Sequence, residues 1–423
     1  MRIVLISFGT RGDVQPFIAL AGGLQRAQHD VLVAAPSNFA GLAAAHGVPF
    51  RPLAFDSQEL ADRPEVKKVL ESGSALKYFL MKGRDLVMDV VNVEAWNLSR
   101  EADALVFKAE WPPAGYSIAR KRRIPGFEVN VHPLDPTREI PGVASGLSRH
   151  HGPLWNRITS ELSCRVFRRL HTPSANRFRR FLDLPPLPFS GPAREYSRVR
   201  QPVFYTFSPT LFPTPRDWPP DSHVLGPFSL DVPAGWHPPA ELCRFLESGP
   251  APVYVGFGSM PSRNPKETAL TVVEALRRSG QRAIFQRGWG KLGDGLKDRP
   301  DVYLSDDLPH NWLFPRVAAV IHHGGSGTAG SVLQAGVPSI VVPHNFDQPF
   351  WARRMHELGV STAPIRLRDI RVENLTAAVQ AAVTDPALRQ RAAEVGEKVK
   401  AEDGVSRAVA LIGDYAARFS FQP

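Results

Sequence analysis

Apolar residues run through this chain in short bursts, separated by glycine-rich or polar punctuation, and the bursts alternate with stretches of helical periodicity. Residues 3–7, Ile-Val-Leu-Ile-Ser, are mostly apolar and stop just before Gly9, as a strand buried on both faces requires. Phe17, Leu20 and Leu24 then recur on one face of a helix. The pattern predicts strands at 31–35 and 104–107 with a helix at 38–45 between them. It restarts at 253–257, with further strands at 283–286, 302–304, 318–321 and 339–342. Helices are predicted at 267–278, 326–335 and 349–358. Strand and helix alternating at this spacing imply doubly wound parallel sheets of α/β class, and the restart implies two of them.

A length of 423 residues suits two cores better than one. The expected division is a Rossmann-like first domain over 1–211, a Pro-rich linker over 212–222 and a second Rossmann-like domain over 223–403. The linker assignment rests on prolines that block both helix and central strand. A last helix, about 404–423, is expected to return to the first domain. Two open sheets joined in this way leave a cleft lined by the loops that follow their strands, where ligands of such sheets bind.

Composition adds little to that outline, but charge does. The formal charge of +10 admits a basic solvated surface, a pocket for an anionic substrate, or peripheral adhesion to an anionic membrane. The basic residues are scattered and no recognition module is legible, so no nucleic-acid partner is expected. Cys164 and Cys243 fit no metal or redox spacing, and no apolar run approaches 18 residues. The N-terminus reads as a first strand and not as a leader. These features predict a cytoplasmic protein. His150 and His151 have no third ligand at metal spacing, so no metal site and no resident cofactor are expected.

The candidate chemistry falls just after strands. His322-His323-Gly324-Gly325-Ser326-Gly327-Thr328 leaves one strand and enters a helix. Glycines allow close backbone approach, and the helix start presents unpaired N–H groups with partial positive charge. A diphosphate meets both conditions, with His322, Ser326 and Thr328 as added donors. The run is neither a dinucleotide fingerprint nor a Walker loop. One strand later, Asp347-Gln348 sets a carboxylate beside an amide, a combination suited to vicinal sugar hydroxyls, although Asp347 is equally suited to cap the next helix.

The segment HHGGSGTAGSVLQAGVPSIVVPHNFDQPFWARRMHELG, residues 322–359, resembles the donor-binding signature of family 1 inverting glycosyltransferases. The likeness is greatest to the bacterial and fungal sterol-glucosyltransferase branch, which shares features with antibiotic and glycolipid glycosyltransferases. Gly9-Thr10-Arg11-Gly12-Asp13-Val14-Gln15-Pro16, the region 205–226 with Asp217-Trp218-Pro219, and Gly256-Phe257-Gly258-Ser259 match in the same order. The resemblance implies the GT-B fold and metal-independent transfer with inversion at the anomeric carbon. It implies that His322 and the turn Gly324, Gly325, Ser326, Gly327, Thr328 hold the diphosphate, and that Asp347 and Gln348 hold the hexose. Ser259 would lie by the phosphates or ribose, and Trp312 would either stack on the base or pack in the core. Many plant and animal relatives carry a glutamate where this chain has Gly330, which leaves the nucleotide open.

Transfer to an alcohol needs a base and a means of holding the departing charge. Asp13, in the turn after the first strand, is the candidate base; it also suits a cap of the helix expected from about Val14, and the two roles are compatible. Gly12 and Arg11 beside it are candidates for the donor phosphates, with pairing to Asp13 as the other role for Arg11. His132 is a candidate lining residue of the acceptor pocket or an ordinary loop residue. The leading expectation is glucose transfer from UDP-glucose to a lipophilic hydroxyl of sterol, polyketide or glycolipid-precursor type. A dTDP-deoxysugar transferase and a non-catalytic nucleotide-sugar-binding protein are the alternatives.

Overall fold

A computed structural model describes residues 1–420 apart from 72–83, 109–111, 144–151, 188–200, 260–263, 291 and 297–298. His150 and His151 therefore lie outside the described residues. Two sheets are present among the described residues, and every strand pair in them is parallel.

The first sheet has the order β3-β2-β1-β4-β5-β6-β7. Its strands are β1 (Arg2–Ile6), β2 (Asp30–Pro36), β3 (Phe50–Leu53), β4 (Ala104–Lys108), β5 (Gly126–Asn130), β6 (Val203–Tyr205) and β7 (Ser222–Val224). The second has the order β10-β9-β8-β11-β12, with β8 (Val253–Gly256), β9 (Ala283–Gln286), β10 (Val302–Ser305), β11 (Ala319–His322) and β12 (Ser339–Val341). Central strands β1 and β4 are buried on both faces, which is why they read as continuous apolar runs. Helices cover both faces, and no helix among the described residues is long and apolar enough to cross a membrane.

The Pro-rich stretch 212–222 does not link the two sheets. It ends at Ser222, the first residue of β7, which pairs with β6 inside the first sheet. Its prolines still prevent helix and central strand, but they shape a loop that leads to an edge strand. The chain crosses after Val224. It crosses back near residue 402, and the two crossings pack glycine against glycine. Gly226 takes φ +113°, and a Cβ on Gly404 would lie 2.5 Å from the Gly226 carbonyl oxygen. Glu402 ties the return to the first domain, accepting from Ser208 Oγ and Thr210 Oγ1, each at 2.7 Å. The helix Gly404–Arg418 then places Val405, Ala408 and Ile412 in the first domain's core beside the helix Arg11–Arg26.

Between the sheets lies a third apolar cluster drawn from both. Tyr205, Phe207, Phe212 and Trp218 of the first domain meet Phe350, Trp351, Met355 and Val395 of the second. Trp351 is fully buried, its ring 4.9 Å from that of Phe207, and Phe212 meets Phe350 at 5.8 Å. This seam sets the spacing of the two sheets.

Gly404→Ala is expected to push its methyl into the Gly226 carbonyl and lower unfolding free energy by about 1–3 kcal/mol. Urea denaturation measures this; an unchanged midpoint would show that the crossing has room to relax.

Candidate active site

The carboxyl ends of both sets of strands open on one cavity of ≈ 1680 Å³. Its lining includes the loops after β1, β5, β8, β9, β10, β11 and β12. Of the residues expected at a site, Arg11, Gly12, Asp13, His132, Ser259, Gly325, Ser326, Gly327, Thr328, Asp347 and Gln348 all line this cavity. His322, Gly324 and Trp312 do not.

On the first wall, Asp13 sits one turn into a helix that starts at Arg11, with Thr10 at the N-cap. It is therefore not the cap itself. Its Oδ2 reaches back to accept the Thr10 N–H at 2.7 Å, the reciprocal half of a capping box. Its Oδ1 pairs with Lys108 Nζ at 2.9 Å, where the two side chains are 18% and 5% exposed. Lys108 ends β4 and also donates to the Phe8 carbonyl at 3.3 Å. The only sequence signal of this partner is a lysine closing an apolar strand. Arg11 does not pair with Asp13. It reaches across to the second domain, its Nη1 2.5 Å from Asp307 Oδ1 in the loop after β10.

On the second wall, β11 runs into the helix Ser326–Ala335, whose N-cap is Gly325 and whose first turn carries no acidic residue. Gly324 takes φ +87°, and a Cβ there would lie 2.8 Å from a Val341 methyl, so a larger residue is excluded from the turn. His322 is the last residue of β11 and is fully buried, with its Nδ1 accepting the Gly324 N–H at 3.2 Å. Its Nε2 is buried with no hydrogen-bond partner. His323, one residue beyond the strand, is the histidine that reaches the cavity. Trp312 is turned away by the short helix His310–Leu313, with its ring edge-on to Trp236 at 5.3 Å and Arg316 over it at 4.4 Å. Trp236 and Trp289, neither of them picked out in the sequence, line the cavity instead. At Gly330 a Cβ would meet the Pro227 ring at 3.1 Å, a contact the ring accommodates only by giving a few tenths of an ångström.

Asp347 and Gln348 open the helix Gln348–Glu357. Gln348 Oε1 accepts the backbone N–H groups of His344 (2.8 Å) and Asn345 (3.2 Å), which assigns the cavity-facing end to the amide NH₂. Asp347 Oδ2 accepts Trp351 Nε1–H at 2.7 Å, so the indole of the interdomain seam orients it from below. Burial pushes the Asp347 carboxyl upward; His132 opposes that shift and Asp13 adds to it. Asp347 thus senses both His132 and Asp13 across the cleft.

The histidines around the turn are held neutral. Burial lowers His310 and His322 to about 3 and His344 to about 4. His323 is lowered by burial first and then by its histidine neighbours.

Residues 3–105 match the glycosyltransferase family 28 N-terminal domain, and residues 291–410 match the erythromycin biosynthesis protein CIII-like C-terminal domain. The calicheamicin glycosyltransferase superposes on the chain with a TM-score of 0.68, covering 100% of both chains at 19% identity. The glycosyltransferase of kitacinnamycin gives the same score over 98% of each, at 18% identity. The architecture is GT-B. The chain is 37% identical to O-mycaminosyltylonolide 6-deoxyallosyltransferase of Streptomyces fradiae, with 98% of each chain covered. It is 36% identical to a sterol 3-beta-glucosyltransferase of Arabidopsis thaliana, covering 97% of this chain but 64% of that one, so it spans just under two thirds of that relative. The chain belongs to the glycosyltransferase family that these proteins represent.

The buried histidines also set acid sensitivity. Their folded-state values lie below the ordinary 6.5, so the unfolded chain binds more protons and stability falls as pH drops from about 6.5 toward 4. Each ring is expected to cost about 2 kcal/mol at pH 5 relative to neutral pH. Urea unfolding at pH 7.5 and pH 5 measures the difference, which His344→Gln should reduce; an identical loss in that variant would assign the acid sensitivity elsewhere.

Proposed function

We propose that the protein transfers a hexose with inversion from a nucleotide diphosphate sugar, with UDP-glucose as the leading donor, to a hydroxyl of a lipophilic acceptor. Sterols, polyketides and glycolipid precursors are the acceptor classes in view. The reading rests on one arrangement: the Asp13 carboxylate faces the start of the helix Ser326–Ala335 and the Asp347-Gln348 pair across a single cavity. Phe55, Val66, Met88, Leu134, Ile140 and Val143 give the first-domain half an apolar lining suited to such an acceptor.

In this mechanism Asp13 takes the proton of the acceptor hydroxyl as its oxygen attacks the anomeric carbon. The bond from that carbon to the diphosphate oxygen breaks, and the electron pair leaves with the nucleotide. The first-turn N–H groups and the hydroxyls of Ser326 and Thr328 receive the departing charge. His322, whose buried Nε2 has no hydrogen-bond partner, keeps the phosphate role expected of it, with His323 beside it on the cavity lining. Asp347 and the Gln348 NH₂ hold hexose hydroxyls, and Ser259 serves the phosphates or ribose. Lys108 holds Asp13 Oδ1, and the N–H and hydroxyl of Thr10 hold its Oδ2, so the carboxylate is fixed where it lines the cavity. Trp236 and Trp289 replace Trp312 as the candidate platforms for the base. No metal or cofactor takes part in any of these steps. A dTDP-deoxysugar donor is the second reading, favoured by the deoxysugar transferase of Streptomyces fradiae that matches over nearly all of both chains.

Consumption of UDP-glucose and of dTDP-sugars, with and without sterol and macrolide acceptors, tests the proposal; acceptor-independent binding with no transfer to any acceptor would sink it. Asp13→Asn is expected to lower kcat by about 10²–10⁴-fold with UDP affinity nearly unchanged. Loss of UDP binding in a folded Asn variant would move Asp13 to the donor side. Trp351→Phe keeps most of the seam but removes the Asp347 donor, and is expected to raise the donor KM about 10-fold, the effect of one lost charge-assisted bond. An unaltered KM would show that Asp347 orients itself.

A further inference from the structure

The helix Pro153–Phe181 is amphipathic in the reverse of the usual sense. Its protein-facing side is polar. Asn156 Nδ2 donates to the Arg138 carbonyl (3.0 Å), Ser160 Oγ to the Ile140 carbonyl (3.2 Å) and Cys164 Sγ to the Leu134 carbonyl (2.6 Å). Ser160, Ser163 and Cys164 also line the cavity. The opposite side exposes Leu154 (74%), Trp155, Ile158, Leu162 (59%) and Val166. At 3.6 residues per turn these five form one stripe, roughly 18 Å long at 1.5 Å per residue. Arg165 lies within the stripe, paired with Glu161 at 3.3 Å, and Arg169 and Arg180 extend the same face; all three are exposed. A helix bathed in water on that side would carry the opposite arrangement, and contiguous exposed apolar surface marks contact with something else.

We propose that this face docks the protein on an anionic membrane surface. The apolar N-terminal half enters the boundary between headgroups and acyl chains, and the arginines meet acidic headgroups. Charge decides between occupants. The chain carries +10 overall and the stripe runs into three arginines, so a second copy would bring like charge against like while an anionic lipid surface complements both parts. The inner side of the same helix walls the acceptor half of the cavity, so docking would bring that opening to the source of a lipophilic acceptor. That last step rests on the proposed transferase reading; the docking itself does not.

Vesicle flotation tests it, with phosphatidylcholine alone and with added phosphatidylglycerol. The full chain is expected to float with the anionic vesicles and to be released by salt. The variant carrying Leu154→Ser, Ile158→Ser and Leu162→Ser is expected to lose partitioning by at least about ten-fold, with an unchanged circular dichroism spectrum and unchanged transfer to a water-soluble acceptor. No binding by the natural chain, or equal binding by the variant, overturns the proposal. So does a dimer in sedimentation velocity that the variant converts to monomer, because the stripe is then an interface between copies. Vesicle binding by a chain that transfers no sugar supports docking and removes the transferase reading instead.

Discussion

The cleft depends on the apolar seam that sets one sheet against the other. Trp351 is its centre, fully buried against Phe207 of the first domain while its N–H holds Asp347 of the second. An aromatic ring buried at an interface contributes most of its free energy through apolar area, and its polar edge still requires a partner. Here that partner is a carboxylate on the cavity wall. The contact that fixes the separation of the domains therefore also fixes the orientation of a site residue, so the two are coupled by geometry.

Across that fixed gap, two carboxylates live in different surroundings. Asp13 is clasped by Lys108 and the Thr10 N–H, whereas Asp347 is pushed upward by burial and held by an indole. Around the glycine turn, burial keeps the histidines uncharged, so the positive potential there comes from backbone N–H groups and not from side chains. Arg11 and Asp307 close the mouth with an ion pair between the domains.

The acceptor half is braced differently, by a polar network. Asp135 accepts from Ser222 Oγ (2.6 Å) and Tyr205 OH (2.9 Å), and Asp217 accepts from Thr137 Oγ1 (2.6 Å) and the Arg138 N–H (2.9 Å). The Pro-rich segment therefore clamps the loop after β5 instead of linking domains. The polar side of the helix Pro153–Phe181 grips the same loop from beyond, and this is why its apolar residues are left outside. Pairing loop carbonyls takes precedence over burying leucines, since an unpaired buried carbonyl costs more than an exposed methyl.

The sequence by itself determined the parallel α/β architecture, the two sheets, the glycine turn before the helix Ser326–Ala335, and the placing of Asp13 and Asp347 after strands. Those features are local: apolar periodicity, glycine and helix starts act over a few residues. The tertiary structure decided which side chains face the cavity. His323 lines it, whereas His322, the last residue of β11, is fully buried with its Nε2 unpaired. Trp236 and Trp289 line it while Trp312 packs away, and Lys108 meets Asp13, 95 residues away in the chain, only because β1 and β4 pair in the sheet. Likewise the segment 212–222 looked like a linker until the pairing of β7 with β6 placed its end in the first sheet. Local pattern fixes the backbone's habit, whereas facing and partnership depend on which strand lies alongside, and that is settled only when the sheets assemble.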